Sequence, residues 1–207
     1  MSIVLITISS RGLRSLAVDG LNLPLLNSSP QVLGVKLARP TGIISGPVQP
    51  IAVYGSQLTG VIVSVYSWGT TITAYSAVGN RLNIDVSVHS EASDVIPFLW
   101  LSPLALRLPT ALVTDPMPMF NVNGPSSIFA VSAPLSLALC NDDVLKPLLL
   151  RLTKATSANH TDFRIDIATD PSGITPSYPV APRPIAPGAT DRFKISLRFG
   201  GVDDTEF

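Results

Sequence analysis

Histidine and cysteine, which commonly serve as a catalytic base and a thiol nucleophile, are scarce in this 207-residue sequence. It contains two histidines, His89 and His160, and one cysteine, Cys140. A catalytic triad needs a base beside its nucleophile. His89 ends the polar face of a predicted strand and His160 lies in a predicted loop, so we expect both to be solvent-exposed. Because no G-x-S-x-G, H-E-x-x-H or phosphate-binding glycine loop is present, we predict a protein that is not an enzyme, with no catalytic residues.

Two pairs of adjacent acids are the candidate metal ligands. Asp142-Asp143 and Asp203-Asp204 offer the hard oxygen atoms that calcium prefers. Calcium takes six or more oxygens, so each pair would need further ligands, for example from a neighbouring subunit. One cysteine and two isolated histidines argue against zinc. We favour a turn at the first pair and a solvated tail at the second, and we expect no cofactor.

Basic residues form two candidate contacts to nucleic acid. Arg192, Lys194 and Arg198 alternate along the predicted final strand, 191–199, and could lie against phosphates. Arg11 and Arg14 lie in a mildly basic segment, 1–40, that could touch a polyanion. The competing interpretations are an edge strand protected by charge and a solvated terminal arm. The sequence leaves both alternatives open.

The most regular part of the sequence is the segment from Leu58 to Ser90. Apolar and polar residues alternate in its last ten positions, which places the two classes on opposite faces of a strand. Gly79-Asn80 suits a tight hairpin turn. We therefore predict three antiparallel strands in this segment, which would be the scaffold of the domain.

The other predicted strands are shorter and are interrupted by proline. Pro97 indicates that residues 94–101 form an edge strand or a bulged strand. A second hairpin is predicted around the polar link 156–162, since both flanking segments alternate. Six prolines between positions 170 and 188 predict an extended surface segment. The resulting fold class is an all-β antiparallel sandwich of jelly-roll type, with about eight to ten strands and little helix.

Composition favours one domain that assembles with other protein chains. Charged residues make up 14% of the chain, the mean hydropathy is +0.40 and the formal net charge is zero. No apolar run approaches the length of a membrane helix, and we predict no signal peptide. A surface poor in charge is usually covered by other protein. We divide the chain into an irregular arm with the first strands, 1–50, and a shell domain, 51–207, and expect that trimming residues 1–10 alters assembly.

Together, these features resemble the single jelly-roll coat proteins of small non-enveloped positive-strand RNA viruses. The resemblance covers the whole chain and rests on many strands, proline-rich connections, low charge and no catalytic site; barnavirus coat proteins are the nearest likeness. It implies many identical subunits in a closed shell around RNA, made in the host cytoplasm and located in the virion. The weakly basic segment 1–40 departs from the arginine-rich arm of many such proteins.

Two other functions fit the same pattern. One is an outer or cementing protein of a larger virus, which would not touch the genome. The other is a β-sandwich binding module of lectin-like type. Assembly into closed shells would favour a coat protein, whereas a monomer that binds glycans would favour the binding module.

Overall fold

The computed structural model describes residues 3–9, 12–27, 30–36, 43–44, 50–55, 58–109, 126–130, 136–143, 149–169 and 182–200. In chain order the strands are β1 (Val4–Ser9), β2 (Gly12–Val18), β3 (Leu21–Leu23), β4 (Gln31–Lys36), β5 (Ile43–Ile44), β6 (Pro50–Gly55), β7 (Thr59–Tyr66), β8 (Gly69–Val78), β9 (Arg81–Ser90), β10 (Phe98–Pro109), β11 (Ser126–Ala130), β12 (Ser136–Asn141), β13 (Leu149–Thr156), β14 (His160–Ala168) and β15 (Thr190–Gly200). No helix occurs among the described residues, so none of them forms a helix that could cross a membrane.

The strands form three antiparallel sheets. A three-stranded sheet has the order β1-β2-β3, and a five-stranded sheet has the order β13-β14-β10-β4-β5. A seven-stranded sheet has the order β11-β12-β15-β9-β8-β7-β6. The all-β sandwich class predicted from the sequence is confirmed, with more strands than the eight to ten expected.

Alternating apolar residues on the two larger sheets form one shared core. In β9 and β15 the inward side chains are 0–2% exposed, as their period of two predicts. These residues are Leu82, Ile84, Val86, Val88, Phe193, Ile195, Leu197 and Phe199. In the five-stranded sheet, Leu106, Phe163 and Ile165 belong to the same cluster. Tyr75 of β8 donates a hydrogen bond to the carbonyl of Pro103 in β10 and so links the two sheets.

The segment 58–90 forms the strand meander that the sequence predicts. Strands β7, β8 and β9 are consecutive neighbours in the seven-stranded sheet. Gly79, in the turn between β8 and β9, has a φ of 58°, in the left-handed region that glycine adopts at little cost. The predicted second hairpin is also present, as β13 and β14.

The N-terminal hairpin is part of the core, which revises the expectation for residues 1–10. Val4 and Ile6 of β1 are each 1% exposed. Ile8 packs so closely on β7 that a Cβ at Gly60 would lie 2.4 Å from its Cδ1. The described residues among the first fifty therefore form strands β1 to β5, and β1 to β4 supply side chains to the core.

Of the two alternatives predicted for residues 94–101, an edge strand or a bulged strand, the structure shows the bulged one. Strand β10 lies in the interior of the five-stranded sheet, between β14 and β4. Its register with β14 shifts between Leu101 and Leu104. Pro103 lies within this irregularity, where a missing N–H breaks no regular ladder bond. Pro97 precedes the strand.

The final strand, β15, is also interior, which rules out the edge-strand interpretation of its cations. It pairs with β12 on one side and with β9 on the other. Within the proline-rich segment, the described residues 182–188 form no strand, as predicted, although Ile185 makes a single bridge to Ile96. Residues 110–125, including the Met117–Phe120 segment, and 170–181 lie outside the described residues.

Candidate functional site

The structure places three predicted phosphate-contacting residues on one face of β15. Arg192, Lys194 and Arg198 alternate with buried residues and lie on the outward side of the seven-stranded sheet. Arg198 is paired with Asp142, its Nη2 3.0 Å from Oδ1. Lys194 lies opposite Asp85 of β9. This surface therefore mixes both signs of charge and is not a continuous cationic strip.

The remaining predicted residues do not join that surface. Arg14 is exposed on β2, in the three-stranded sheet. Asp142 is held by Arg198, and the Asp143 amide donates to Asn141 Oδ1 at 2.9 Å. The described residues contain no group of three or more acidic, histidine or cysteine side chains that could hold a metal. Arg11, Asp203 and Asp204 lie outside the described residues.

The two histidines lie on different sheets and neither is fully exposed. His89 is half-buried, with Nδ1 3.0 Å from Thr190 Oγ1. His160 has Nδ1 3.0 Å from Ser157 Oγ and Nε2 3.8 Å from Asp162 Oδ1. Ser157, His160 and Asp162 are the residue types of a catalytic triad. However, Ser157 Oγ donates to the His160 carbonyl and accepts from the His160 amide. Ser157 therefore stabilises the turn between β13 and β14. That the protein is not an enzyme stays a prediction.

Several hydroxyl groups lie buried on the inner face of the seven-stranded sheet. Ser64, Thr73 and Ser90 are 0–1% exposed, and their hydroxyl oxygens reach no hydrogen-bond partner among the described residues. Tyr66, whose ring stacks on Trp68 at 4.6 Å, lies beside them. Burial raises the pKa of Tyr66, and the Thr71 hydroxyl partly opposes this. A ligand could not reach these groups without displacing the residues that bury them.

A further cluster of functional side chains lies on the outward face of the five-stranded sheet. We call it the polar ladder. It consists of Trp100, Arg107, His160, Asp162, Arg164 and Asp166. Strand β14 supplies the last four, every second residue, because the residues between them point into the core. At about 3.4 Å per residue these four positions span roughly 20 Å.

Arg107 and Asp162 form one rung of the polar ladder. They are directly opposite in the register of β10 and β14, and Arg107 Nε and Nη2 donate to the two carboxylate oxygens at 2.8 and 2.9 Å. These hydrogen bonds and the positive charge of Arg107 lower the pKa of Asp162, to which His160 also contributes. The carboxylate in turn raises the pKa of Arg107. The rung is therefore a fixed ion pair at neutral pH.

Arg164, Asp166 and Trp100 form the other end of the polar ladder. Arg164 donates from Nε and Nη2 to the Asp166 carboxylate at 2.7 and 3.0 Å. Its guanidinium carbon lies 5.6 Å from the centre of the Trp100 ring, within the range of a cation–π contact. Trp100 lies opposite Gly34 and Ala168, so neither neighbouring strand places a large side chain beside the indole. Trp100 Nε1 is buried and has no hydrogen-bond partner among the described residues.

Exposure differs along the polar ladder in a way that suits contact with a ligand. The side chains of Arg107, His160, Arg164 and Asp162 are 48%, 36%, 31% and 21% exposed, whereas Asp166 is 1% exposed. The buried Asp166 fixes the orientation of Arg164, and Arg107 remains open to solvent. A guanidinium has five N–H donors, and each aspartate bridge uses two of them. Both arginines therefore keep donors that could bind a ligand oxygen.

The sequence contained half of the signal for this site. The alternation in 163–168 predicts that Arg164 and Asp166 share a face, whereas His160 and Asp162 were expected in the polar link 156–162. Nothing in the sequence joins these residues to Arg107 or Trp100, because the pairing of β10 with β14 is a long-range contact.

No protein-family model and no curated protein matches this sequence. The fold resembles that of several solved carbohydrate-active proteins. One is a polysaccharide lyase, with a TM-score of 0.59 and 10% identity over 98% of this chain and 33% of the lyase. Another is a galactose mutarotase related enzyme from Lactobacillus acidophilus, with a TM-score of 0.54 and 10% identity over 99% of this chain and 97% of that one.

A third similar structure is a galactose mutarotase-like protein from Lactobacillus casei ATCC 334. It has a TM-score of 0.54 and 11% identity over 95% of this chain and 97% of that one. At such identities the likeness concerns the fold alone. This chain spans about a third of the polysaccharide lyase and almost the whole length of the two mutarotase-like proteins.

Proposed function

We propose that this protein is a β-sandwich carbohydrate-binding module and that the polar ladder contacts the sugar. The observation that carries the proposal is the pair of Arg–Asp bridges beside Trp100 on the outward face of the five-stranded sheet, where Arg107 and Arg164 are partly exposed. Planar groups with several fixed donors and acceptors suit adjacent hydroxyl groups, since one side chain can bind two of them.

The aromatic residue adds an apolar surface to the polar groups. A pyranose ring has one face rich in C–H groups, and an indole ring offers flat apolar area at a small cost in side-chain entropy. Trp100 supplies such a ring, which Arg164 covers in part and which the small residues Gly34 and Ala168 flank in the sheet, so a sugar would contact the area that Arg164 leaves open. Binding sites combine apolar contact with a few well-placed polar groups in this way.

Two further facts support a sugar ligand. The fold is similar to that of proteins named as a polysaccharide lyase and as galactose mutarotase-like proteins. Both aspartates of the polar ladder are paired with an arginine, so neither carboxylate is placed to act as a general acid or base. This arrangement fits binding better than catalysis.

A glycan array followed by calorimetry with the purified chain tests the proposal. Arg107→Gln removes a charged donor from an exposed position, and Arg192→Gln does so on the opposite outward face of the sandwich. Losing one hydrogen bond from a charged group weakens binding by about tenfold or more. We expect that loss for Arg107→Gln and no change for Arg192→Gln, with both variants remaining folded. Equal affinities of the two variants would exclude the polar ladder as the binding face.

A self-assembling coat protein is the second candidate. The observation that favours it is a row of exposed aliphatic residues on the outward face of β7 and β8. Val65, Ile72 and Val78 are 46%, 41% and 65% exposed, and such patches often mark protein interfaces. Sedimentation velocity and negative-stain microscopy test this function: closed shells would support it, and a monomer at micromolar concentration would exclude it.

A further inference from the structure

The polar ladder is balanced in charge, one pair at a time. Arg107 is bound through two hydrogen bonds by Asp162, and Arg164 is bound in the same way by Asp166. Bridges of this kind are the strongest charge-assisted hydrogen bonds that a protein forms between side chains. Neither arginine therefore presents an uncompensated positive charge.

We infer that the polar ladder selects uncharged glycans and rejects uronate-containing ones. This inference rests on the proposed function, because it assigns the ligand class of the same surface. Asp162 uses Nε and Nη2 of Arg107, so a uronate carboxylate could reach only the N–H donors that remain, and it would then share one cation with Asp162 and lie beside a second anion. Placing like charges together on a protein surface costs affinity.

The second bridge makes the same selection more strongly. Asp166 is 1% exposed, so it cannot turn to water when an anionic ligand approaches Arg164. A buried carboxylate that loses an arginine from its surroundings is less well compensated, which is costly. Arg164 is also held by its contact with the Trp100 ring. A hydroxyl group can bind without displacing either aspartate, because it can accept from an arginine N–H or donate to an aspartate oxygen while both bridges stay intact.

If Arg107 is released from its bridge to Asp162, we expect the site to accept uronate-containing glycans. Asp162→Asn removes the negative charge from an exposed bridge and keeps the size of the side chain. Arg107 then becomes an uncompensated cation that can bind a uronate with two hydrogen bonds. Asp85→Asn is the matched control, because Asp85 is an exposed aspartate on β9 of the seven-stranded sheet.

The experiment measures the affinities of neutral and uronate-containing oligosaccharides of equal length for the purified chain and its variants, at about pH 8 and constant ionic strength. We expect the unmodified chain to bind the neutral class at least about tenfold more tightly. Asp162→Asn should bind uronates more tightly and so reduce the ratio of neutral to uronate affinity about tenfold, whereas Asp85→Asn should leave this ratio unchanged. The double variant Asp162→Asn with Arg107→Gln should lose the gain.

The outcomes separate the two claims. If the unmodified chain binds uronates as tightly as neutral glycans, charge selection is wrong and carbohydrate binding stands. If neither class binds, both claims are wrong. If Asp162→Asn and Asp85→Asn have the same effect on uronate affinity, the bridge to Arg107 does not set the specificity.

Discussion

Arg107 and Asp162 lie 55 positions apart in the chain, yet they face each other across β10 and β14 and share two hydrogen bonds of 2.8 and 2.9 Å. Their meeting depends on the interior position of β10, which is possible because the strand accommodates Pro103 in a bulge. The structure thus brings together charged residues whose sequence positions give no sign of a partnership.

The Arg107–Asp162 bridge should make stability depend on pH in the acid range. The pKa of Asp162 is lowered in the folded protein, so the unfolded chain binds its proton more tightly and stability rises with pH in this window. The contribution is fully present above the ordinary carboxylate pKa, about 3.9, and disappears as the pH falls through the folded value. Urea denaturation between about pH 2 and pH 6 should show Asp162→Asn converging with the unmodified protein at the acid end. A constant difference across this range would contradict the bridge.

Arg164→Ala should destabilise the fold strongly, because it leaves the carboxylate of Asp166 buried without its arginine. Removing one partner of a buried ion pair costs about 3 kcal/mol. Arg192→Ala, at an exposed position on β15, is the control and should change the free energy of unfolding by less than about 0.5 kcal/mol. Chemical denaturation at about pH 7 measures both variants. Similar small losses in both would mean that Asp166 is not dependent on Arg164.

Gly69→Ala should destabilise the β7–β8 turn more than Gly20→Ala destabilises its own turn. Both glycines have positive φ, 152° and 80°. A Cβ at Gly69 would lie 2.1 Å from the His89 carbonyl oxygen, whereas nothing lies within 4 Å of one at Gly20. Strain alone costs about 1 kcal/mol, and overlap adds roughly 1–3 kcal/mol at Gly69. Thermal denaturation of the two variants gives the comparison, and equal losses would show that the turn can open at no cost.

Deleting residues 1–10 should abolish folding. Val4 and Ile6 are buried in the core cluster, and each such side chain contributes about 1.5–3 kcal/mol. The deletion also exposes the surface of β6 and β7, at Gly55 and Gly60, that Ile8 covers. Circular dichroism and the dispersion of NMR amide signals measure the outcome. A folded truncated protein would restore the interpretation of this segment as an arm.

Cys140 should react slowly with alkylating reagents in the native protein. Burial raises the pKa of the thiol, with Asp142 adding to this and Arg198 and Arg81 opposing it. Less thiolate is then present at neutral pH, and thiolate is the reacting form. Iodoacetamide labelling followed by mass spectrometry should be markedly faster in urea than in buffer. Equal rates would mean that the side chain is open to solvent.

The sequence by itself determined the fold class and the faces of its best strands. The period of two in 81–90, 163–168 and 191–199 specifies which side chains enter the core, because successive side chains in a strand point in opposite directions. Glycine at position 79 likewise specifies a hairpin turn, since other residues resist positive φ. These are local constraints, and the structure confirms each of them.

Only the tertiary structure decided how the strands are ordered and which polar residues meet. Local patterns cannot show that β10 and β15 are interior strands, because the strands that flank them come from distant parts of the chain. Arg107 joins Asp162, and Arg164 covers Trp100, only after the register of β10 and β14 is set by core packing. The candidate site therefore depends on the packing of residues that are distant in the chain, which makes one pairing of the strands more stable than the others.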